Sequence, residues 1–240
     1  MRPPLGIRTG PCDLDSRDRR AGRLGNLVEV TTRQTYAEAS RALLRTTLLD
    51  GLRDLLVEKD WPSITMADVA RKSGVGRQTV YNEFGSRHGL AQAYAMRLAT
   101  EFAGIVASTV AERPHDIHGA LHDAFAAFFA EAAADPLITS LQRGEAKPDL
   151  LRLITTDAAP LITTASARLT DMLTTSWLGL AADDAVRIAR AITRMALSYV
   201  AMPPESDRDV AADLAAVMAP AVIAARGGET KSGATPTTEE

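Results

Sequence analysis

An all-α chain is what this sequence predicts, with a small three-helix head and a larger helical body. Three observations carry that expectation. Apolar residues recur at three- and four-residue spacing through most of the chain, and no segment alternates apolar with polar. Prolines and glycines punctuate the periodic runs at about a helix length apart. Aromatic residues make up only 5% of the 240 residues, while alanine and leucine abound, a composition suited to close helix-on-helix packing.

The elements follow in order. Residues 1–30 are rich in Arg, Gly, Pro and Asp and lack periodicity, so they read as a disordered tail. The alternative is a translated stretch upstream of a true start near Val28 or Val30. Thr31–Thr35 reads as a short arm. A helix from about Tyr36 to Lys59 places Leu44, Leu48, Leu52, Leu55 and Leu56 on one side. The link DWPSIT ends it, with Pro62 as the breaker. Thr65 is placed to cap the next helix, with Asp68 in its first turn. Met66, Val69 and Ala70 give that helix an apolar face, and Arg71 and Lys72 lie opposite. Ser73-Gly74-Val75-Gly76 stops it, Gly74 suiting the positive φ of a helix end. A short helix from about Arg77 to Phe84 buries Val80 and Phe84. The next starts at Ser86 and ends near Glu112, before Pro114.

Everything downstream also reads as helix. Asp116–Ala134 carries Leu121, Phe125, Phe128 and Phe129. Asp135-Pro136 is a cap followed by a first-turn proline, opening a short helix that ends near Gly144. Pro148–Trp177 is a long segment broken at Pro160. Asp183–Ala201 and Ser206–Arg226 close the body, separated by Pro203-Pro204. Residues 227–240 are polar and read as a second disordered tail. No apolar run is long enough to predict a membrane-spanning helix, and no signal-peptide core is evident. With Cys12 as the single cysteine, no internal disulfide can form, and a cytoplasmic location is expected.

Two helices joined by a short glycine turn present a helix compactly to the major groove of DNA. The stretch ITMADVARKSGVGRQTVYNEFGSRHGL resembles the DNA-reading half of TetR-family transcriptional regulators. Thr65, Val69-Ala70, Ser73-Gly74-Val75, Thr79-Val80-Tyr81, Phe84, Ser86-Arg87 and Leu90 match the family pattern in register. Trp61 fits its aromatic position. Gly76 departs from a usual serine cap, Gln78 from a common glycine, Glu83 from a frequent histidine and Asp60 from a usual glycine. The wording GVGRQTVYNEFGSR is also similar to an actinobacterial branch that represses alkane and lipid genes. The resemblance implies a DNA-binding domain over 31–85 and a helical ligand-binding and dimerisation domain over 86–226. It implies a homodimeric repressor of double-stranded operator DNA, released by a small ligand. The rival readings are a helical lipid carrier whose helix–turn–helix is only structural, and an activator of the same fold.

Residue chemistry supports the DNA reading. Arg77, Gln78, Tyr81 and Asn82 are exposed by the periodicity of the second short helix. Arginine pairs bidentately with guanine, and glutamine or asparagine with adenine. Thr65, Thr79, Tyr81 and Arg87 carry donors suited to phosphates, and the family holds the DNA backbone at the matching positions. Net charge is −3 overall, but +3 over residues 1–35, +1 over 36–90 and −7 over 91–240, so the basic share sits at the front.

The body offers a dimer face and a ligand slot. Ala185, Ile188, Ala189, Ile192, Met195, Ala196, Tyr199, Val200 and Met202 form one wide apolar face. Val210, Leu214, Val217 and Ala221 repeat the spacing, which predicts a four-helix interface between two copies. Phe102, Leu121, Phe125, Phe129, Ile154 and Met172 are the candidate lining of a slot for a fatty acid or alkyl chain. His118, His122, Arg143, Thr155 and Thr163 are its polar anchors. Packing of a dry core explains the same apolar residues. His115, His118 and His122 are spaced i, i+3, i+7, but surface histidines explain them better than a metal site, and no metal or other cofactor is expected. No nucleophile, phosphate-loop or dinucleotide motif is present, so no enzymatic role is expected.

Arg77→Ala is expected to weaken specific DNA binding by about 1–3 kcal/mol and to relax one base position. Equal losses on operator and random duplexes in anisotropy titrations would contradict base reading.

Overall fold

The computed structural model describes residues 15–143, 148–203 and 208–227. The chain divides into two compact units, residues 1–47 and 48–240. Among the described residues there are ten α-helices and no strand. These are α1 (Asp15–Glu58), α2 (Met66–Lys72), α3 (Arg77–Phe84), α4 (Arg87–Glu112), α5 (Ile117–Ala134), α6 (Pro136–Gln142), α7 (Pro148–Ile154), α8 (Ala159–Thr175), α9 (Ala182–Ala201) and α10 (Val210–Gly227). The all-α expectation therefore holds.

The first helix departs from expectation. It starts at Asp15, so residues 15–30 and the expected arm at Thr31–Thr35 are helical. Apolar periodicity marks helices by their pattern, and the sequence of this stretch carries no such periodicity. Its Arg, Leu, Ala and Glu content still favours helix, and the prolines lie upstream of it. Residues 1–14 and 228–240, with Cys12, lie outside the described residues. In the first unit, Tyr36 and Leu43 are exposed, and Thr47 Oγ1 donates to the Leu43 carbonyl at 2.9 Å.

In the second unit, Leu48, Leu49, Leu52, Leu55 and Leu56 of α1 are buried. Lys72 at the end of α2 reaches back to Glu58 at 2.7 Å and Asp54 at 3.8 Å. The turn into α4 is tight. A Cβ on Gly89 would run into the backbone carbonyl of Phe84, which cannot give way, so only glycine lets α3 and α4 meet this closely.

The body packs α5 against α10 and α4, and α8 against α9 and α4. Its core joins Val110, Leu121, Phe125, Leu169, Leu173, Ile188, Ile192, Leu214, Met218 and Val222. Asp116 and Asp135 cap α5 and α6 as expected, and the break at Pro160 separates α7 from α8. Asp183 lies in the first turn of α9 rather than capping it, and α10 opens at Val210, where Asp209 accepts from Ala212 N at 2.9 Å. Among the described residues α10 is a helix long and apolar enough to cross a membrane, but here Leu214, Ala215, Met218, Ala219 and Val222 are buried in the core.

Part of the expected dimer face on α9 lies inside the chain's own core. Ala185, Ile188, Ala189 and Ile192 are buried in the chain's own core, with Met195 and Tyr199 packed against it. The later part of the expected face is more open: Met195, Ala196, Tyr199 and Val200 are half-buried, and Met202 is exposed. The apolar side chains left outward on the closing helix include Val217, 67% exposed, and Ile223.

The three histidines do not converge. His115 lies in the turn before α5 at φ 72°, its ring 6.0 Å from that of Trp177. His118 is exposed. His122 Nδ1 lies 2.9 Å from Asp123 Oδ1, and Nε2 lies 3.5 Å from Asp209 Oδ2, just before α10. Hydrogen bonding to Asp123 first, then Asp209, raises the His122 pKa above its ordinary 6.5. A raised folded-state value means that protonated His122 stabilises the fold below about 6.5, and that this contribution fades as pH rises through the folded value. The melting-temperature gap between wild type and His122→Gln should be widest near pH 5 and close above neutrality. A gap independent of pH would show that the pair contributes nothing through charge.

Candidate functional site

The head is assembled by local signals. Thr65 caps α2 in a reciprocal box. Asp68 N donates to Thr65 Oγ1 at 3.2 Å, while Thr65 N and Oγ1 donate to Asp68 Oδ2 at 3.0 and 2.7 Å. These two donors, with Lys59 beside them, hold the Asp68 carboxyl at about 2. Gly74 takes φ 68°, and Val75 N closes back onto the Ala70 carbonyl at 3.0 Å. Gly76 caps α3 without a side-chain hydrogen bond. The first N–H groups of α3 are thus left to solvent or to a phosphate oxygen.

Val80 and Phe84 anchor α3 inward, and Arg77, Gln78 and Asn82 are exposed. Two i,i+4 pairs arrange the exposed face. Gln78 Nε2 donates to Asn82 Oδ1 at 2.9 Å, leaving the Gln78 carbonyl and the Asn82 amide protons for an adenine edge. Arg77 Nη2 donates to Tyr81 Oη at 3.2 Å, with its guanidinium 5.2 Å from the ring centroid. The phenol proton of Tyr81 therefore stays available for a phosphate. Thr79 is half-exposed in the first turn of α3.

Two expected backbone contacts are placed differently. The Thr65 hydroxyl proton is already given to Asp68. The Arg87 guanidinium stacks 4.2 Å over the Trp61 ring and donates to the Trp61 carbonyl. Arg87 thus fastens the first turn of α4 to the turn that follows α1. A motif match gives the residue type at a position but not the direction of its side chain.

The body holds an apolar cavity of about 150 Å³ among α4, α5, α6, α7, α8 and α9. On α4 its wall runs from Ala95 to Val110, on the order of 22 Å at about 1.5 Å per residue, so the space is long and narrow. Phe102, Leu121, Phe125, Ile154 and Met172 line it as expected. Phe129 does not; it lines a groove with Tyr199, their rings edge-to-face at 5.4 Å. Phe128 and Val200 border both spaces. None of the expected polar anchors, His118, His122, Arg143, Thr155 or Thr163, reaches the cavity. Among the described residues its one polar wall residue is Thr193, whose Oγ1 accepts from Ser166 Oγ at 3.2 Å. Charge on these helices goes to solvent or to neighbouring ion pairs, because an unpaired charge in an apolar wall is too costly. Among the described residues no group of three or more His, Cys, Asp and Glu is arranged to hold a metal.

A glycine-turned helix pair presenting hydrogen-bonding side chains, joined by one long helix to a body with an apolar cavity, defines a helix–turn–helix regulator. The chain belongs to the TetR family of transcriptional regulators. Residues 48–94 match the bacterial regulatory proteins of the tetR family, and residues 116–220 match the bacterial tetracyclin repressor C-terminal domain. It is 56% identical over 185 residues to the HTH-type transcriptional regulator AlkX of Mycobacterium tuberculosis, covering 77% of this chain and 88% of that protein. The crystal structure of AlkX from a Dietzia strain, a TetR family repressor implicated in biodegradation of n-alkanes, superposes with TM-score 0.71 at 40% identity. That match covers 76% of this chain and 96% of the Dietzia chain. A TetR-family regulator from Streptomyces coelicolor shares the fold at TM-score 0.53 and 23% identity, over 75% of this chain and 99% of its own. The expected alkane-regulator branch is thus supported. Members of the family bind operator DNA and act as dimers.

Arg87→Ala should lower stability by about 1–2 kcal/mol, the scale of a lost cation–π stack and hydrogen bond. It should weaken DNA binding while leaving the salt dependence of binding at the wild-type slope. A slope reduced by about one would identify Arg87 as a phosphate contact instead.

Proposed function

We propose that this chain is a homodimeric, sequence-specific repressor released from operator DNA by a long apolar ligand. Residues 31–85 read the DNA, and 86–226 hold the ligand and pair the subunits. Arg77, Gln78 and Asn82 face base edges, and Thr79 and Tyr81 take phosphates. Thr65 and Arg87 brace the reading helices from behind and reach the DNA backbone only by exchanging their present partners. A dimer sets two α3 helices about 34 Å apart, one turn of DNA. The work is binding, done in the cytoplasm where the DNA lies, and no reaction is assigned to the chain.

The observation that carries the ligand class is the long cavity with no charged side chain among its described wall residues. An apolar cavity stays dry and accepts apolar molecules. Each buried methylene contributes about 0.8 kcal/mol, so a chain that fills the slot binds without a polar anchor. The Dietzia relative is implicated in n-alkane biodegradation, a setting that supplies alkyl and acyl chains. With no cation among the described wall residues, the carboxylate of a fatty acid would stay at the mouth. Release requires only that the ligand prefer the non-binding conformation. A 100-fold preference shifts the equilibrium by about 2.7 kcal/mol.

The test is fluorescence anisotropy on duplexes tiled across the DNA flanking the gene, at several salt concentrations, followed by palmitate and hexadecane as releasing agents. One duplex should bind far more tightly than the rest, more weakly as salt rises, and dissociate when a chain is added. Retention of lipid with flat, weak binding to every duplex would favour the carrier reading instead.

A further inference from the structure

Asp135 is the group in the body that the packing alone does not explain. It is 2% exposed, yet it carries a carboxylate. Its Oδ1 accepts from Leu137 N at 2.9 Å and Ile138 N at 3.1 Å, as the cap of α6. Its Oδ2 accepts from the Tyr94 hydroxyl at 2.9 Å. Tyr94 lies on α4 and is fully buried. Burial first, and the neighbouring carboxylate next, push the phenol well above its usual range, so it stays a donor.

Both ends of this hydrogen bond adjoin residues of the cavity wall without lining it themselves. Leu137, Ile138 and Leu141 of α6 line the cavity, as do Ala95 and Leu98 beside Tyr94. Away from the cavity the connection continues. The Arg97 guanidinium lies 5.0 Å from the Tyr94 ring centroid. Its Nη1 meets Asp50 Oδ1 at 2.5 Å, and its Nη2 donates to the Leu49 carbonyl at 3.4 Å. Leu49 and Asp50 belong to the part of α1 whose buried leucines back the head.

We propose that Asp135, Tyr94 and Arg97 are positioning residues that carry occupancy of the cavity to the DNA-reading head. The inference deepens the ligand-released reading given above and rests on it. A molecule entering the cavity pushes α6 and α4 apart. In a dry interior an unpaired phenol and carboxylate cost more than a small helix shift, so α4 follows α6 and the bond stays made. Arg97 then draws on α1, and the head turns with it. Side-chain packing alone would transmit the same push without any need of the phenol hydroxyl. The two routes therefore differ in one atom.

The experiment is a double-mutant cycle in the full chain, read as operator affinity by anisotropy. Ala165→Phe fills the cavity from α8 and stands in for a ligand; Ala99→Leu replaces it if its melting profile shows a folding defect. Cavity filling should weaken operator binding about tenfold in the wild-type background. In the Tyr94→Phe background the same substitution should cost less than threefold. Arg97→Gln should uncouple in the same way, and Arg97→Lys should restore part of the effect. An equal loss with and without the phenol hydroxyl overturns the relay, and so does a filled cavity with unchanged operator affinity. Palmitate binding to the wild type, measured by calorimetry, is read separately. Its absence would remove the acyl-ligand reading while the filled variants still decide the relay.

Discussion

The structure depends on one helix being held at three points. Over its 26 residues α4 extends about 39 Å, at roughly 1.5 Å per residue, from the head through the body. Near its start Arg87 is stacked on Trp61. A third of the way along, Tyr94 and Arg97 grip Asp135 and Asp50. Near its end the Trp177 indole donates to the Val110 carbonyl at 2.7 Å. Between the last two holds the same helix forms the wall of the cavity. A helix of this length is stiff, so a displacement along the cavity appears at the head as a change of angle. On the proposed reading, that stiffness lets a ligand site and a DNA site share one compact unit without touching.

What the sequence made readable was mostly local chemistry. The Thr65–Asp68 box, the positive φ of Gly74, the bare Gly76 cap and the Asp135-Pro136 helix start all depend on residues a few positions apart. Such signals need no knowledge of the fold. Five of the six proposed cavity residues also line the cavity, from α4, α5, α7 and α8, because apolar periodicity marks the inward face of each helix. What periodicity could not do was say which inward face meets which partner. On α9 the stripe divides: Ala185, Ile188, Ala189 and Ile192 pack into the chain's own core, while Met202 stays outward.

The unreadable part was long-range and polar. Tyr94 and Asp135 are 41 residues apart, and Arg97 and Asp50 are 47 apart. In the sequence Tyr94 is one more apolar residue on a helix, and Asp135 one more cap. Only the fold shows that the cap is buried and that its free oxygen meets a phenol. The polar anchors expected for a ligand failed for the related reason that a charge on an amphipathic helix goes to the wet side whenever it can.

A buried carboxylate is a poor way to gain stability, since well-packed apolar residues would serve the core as well or better. Its persistence beside a cavity whose described wall residues carry no charge asks for another reason. An apolar wall slides under pressure, because one packing contact is replaced by another of similar energy. A hydrogen bond in the same place does not slide; it holds or it breaks, and breaking is costly where water cannot take over. A regulator needs that difference. A ligand of hydrocarbon character brings only volume into the cavity, and volume alone deforms a soft core locally. One directional contact between α6 and α4 turns the swelling into a displacement of the helix that carries the head. On this argument Asp135 gives the core little stability and gives the cavity a defined connection to the head.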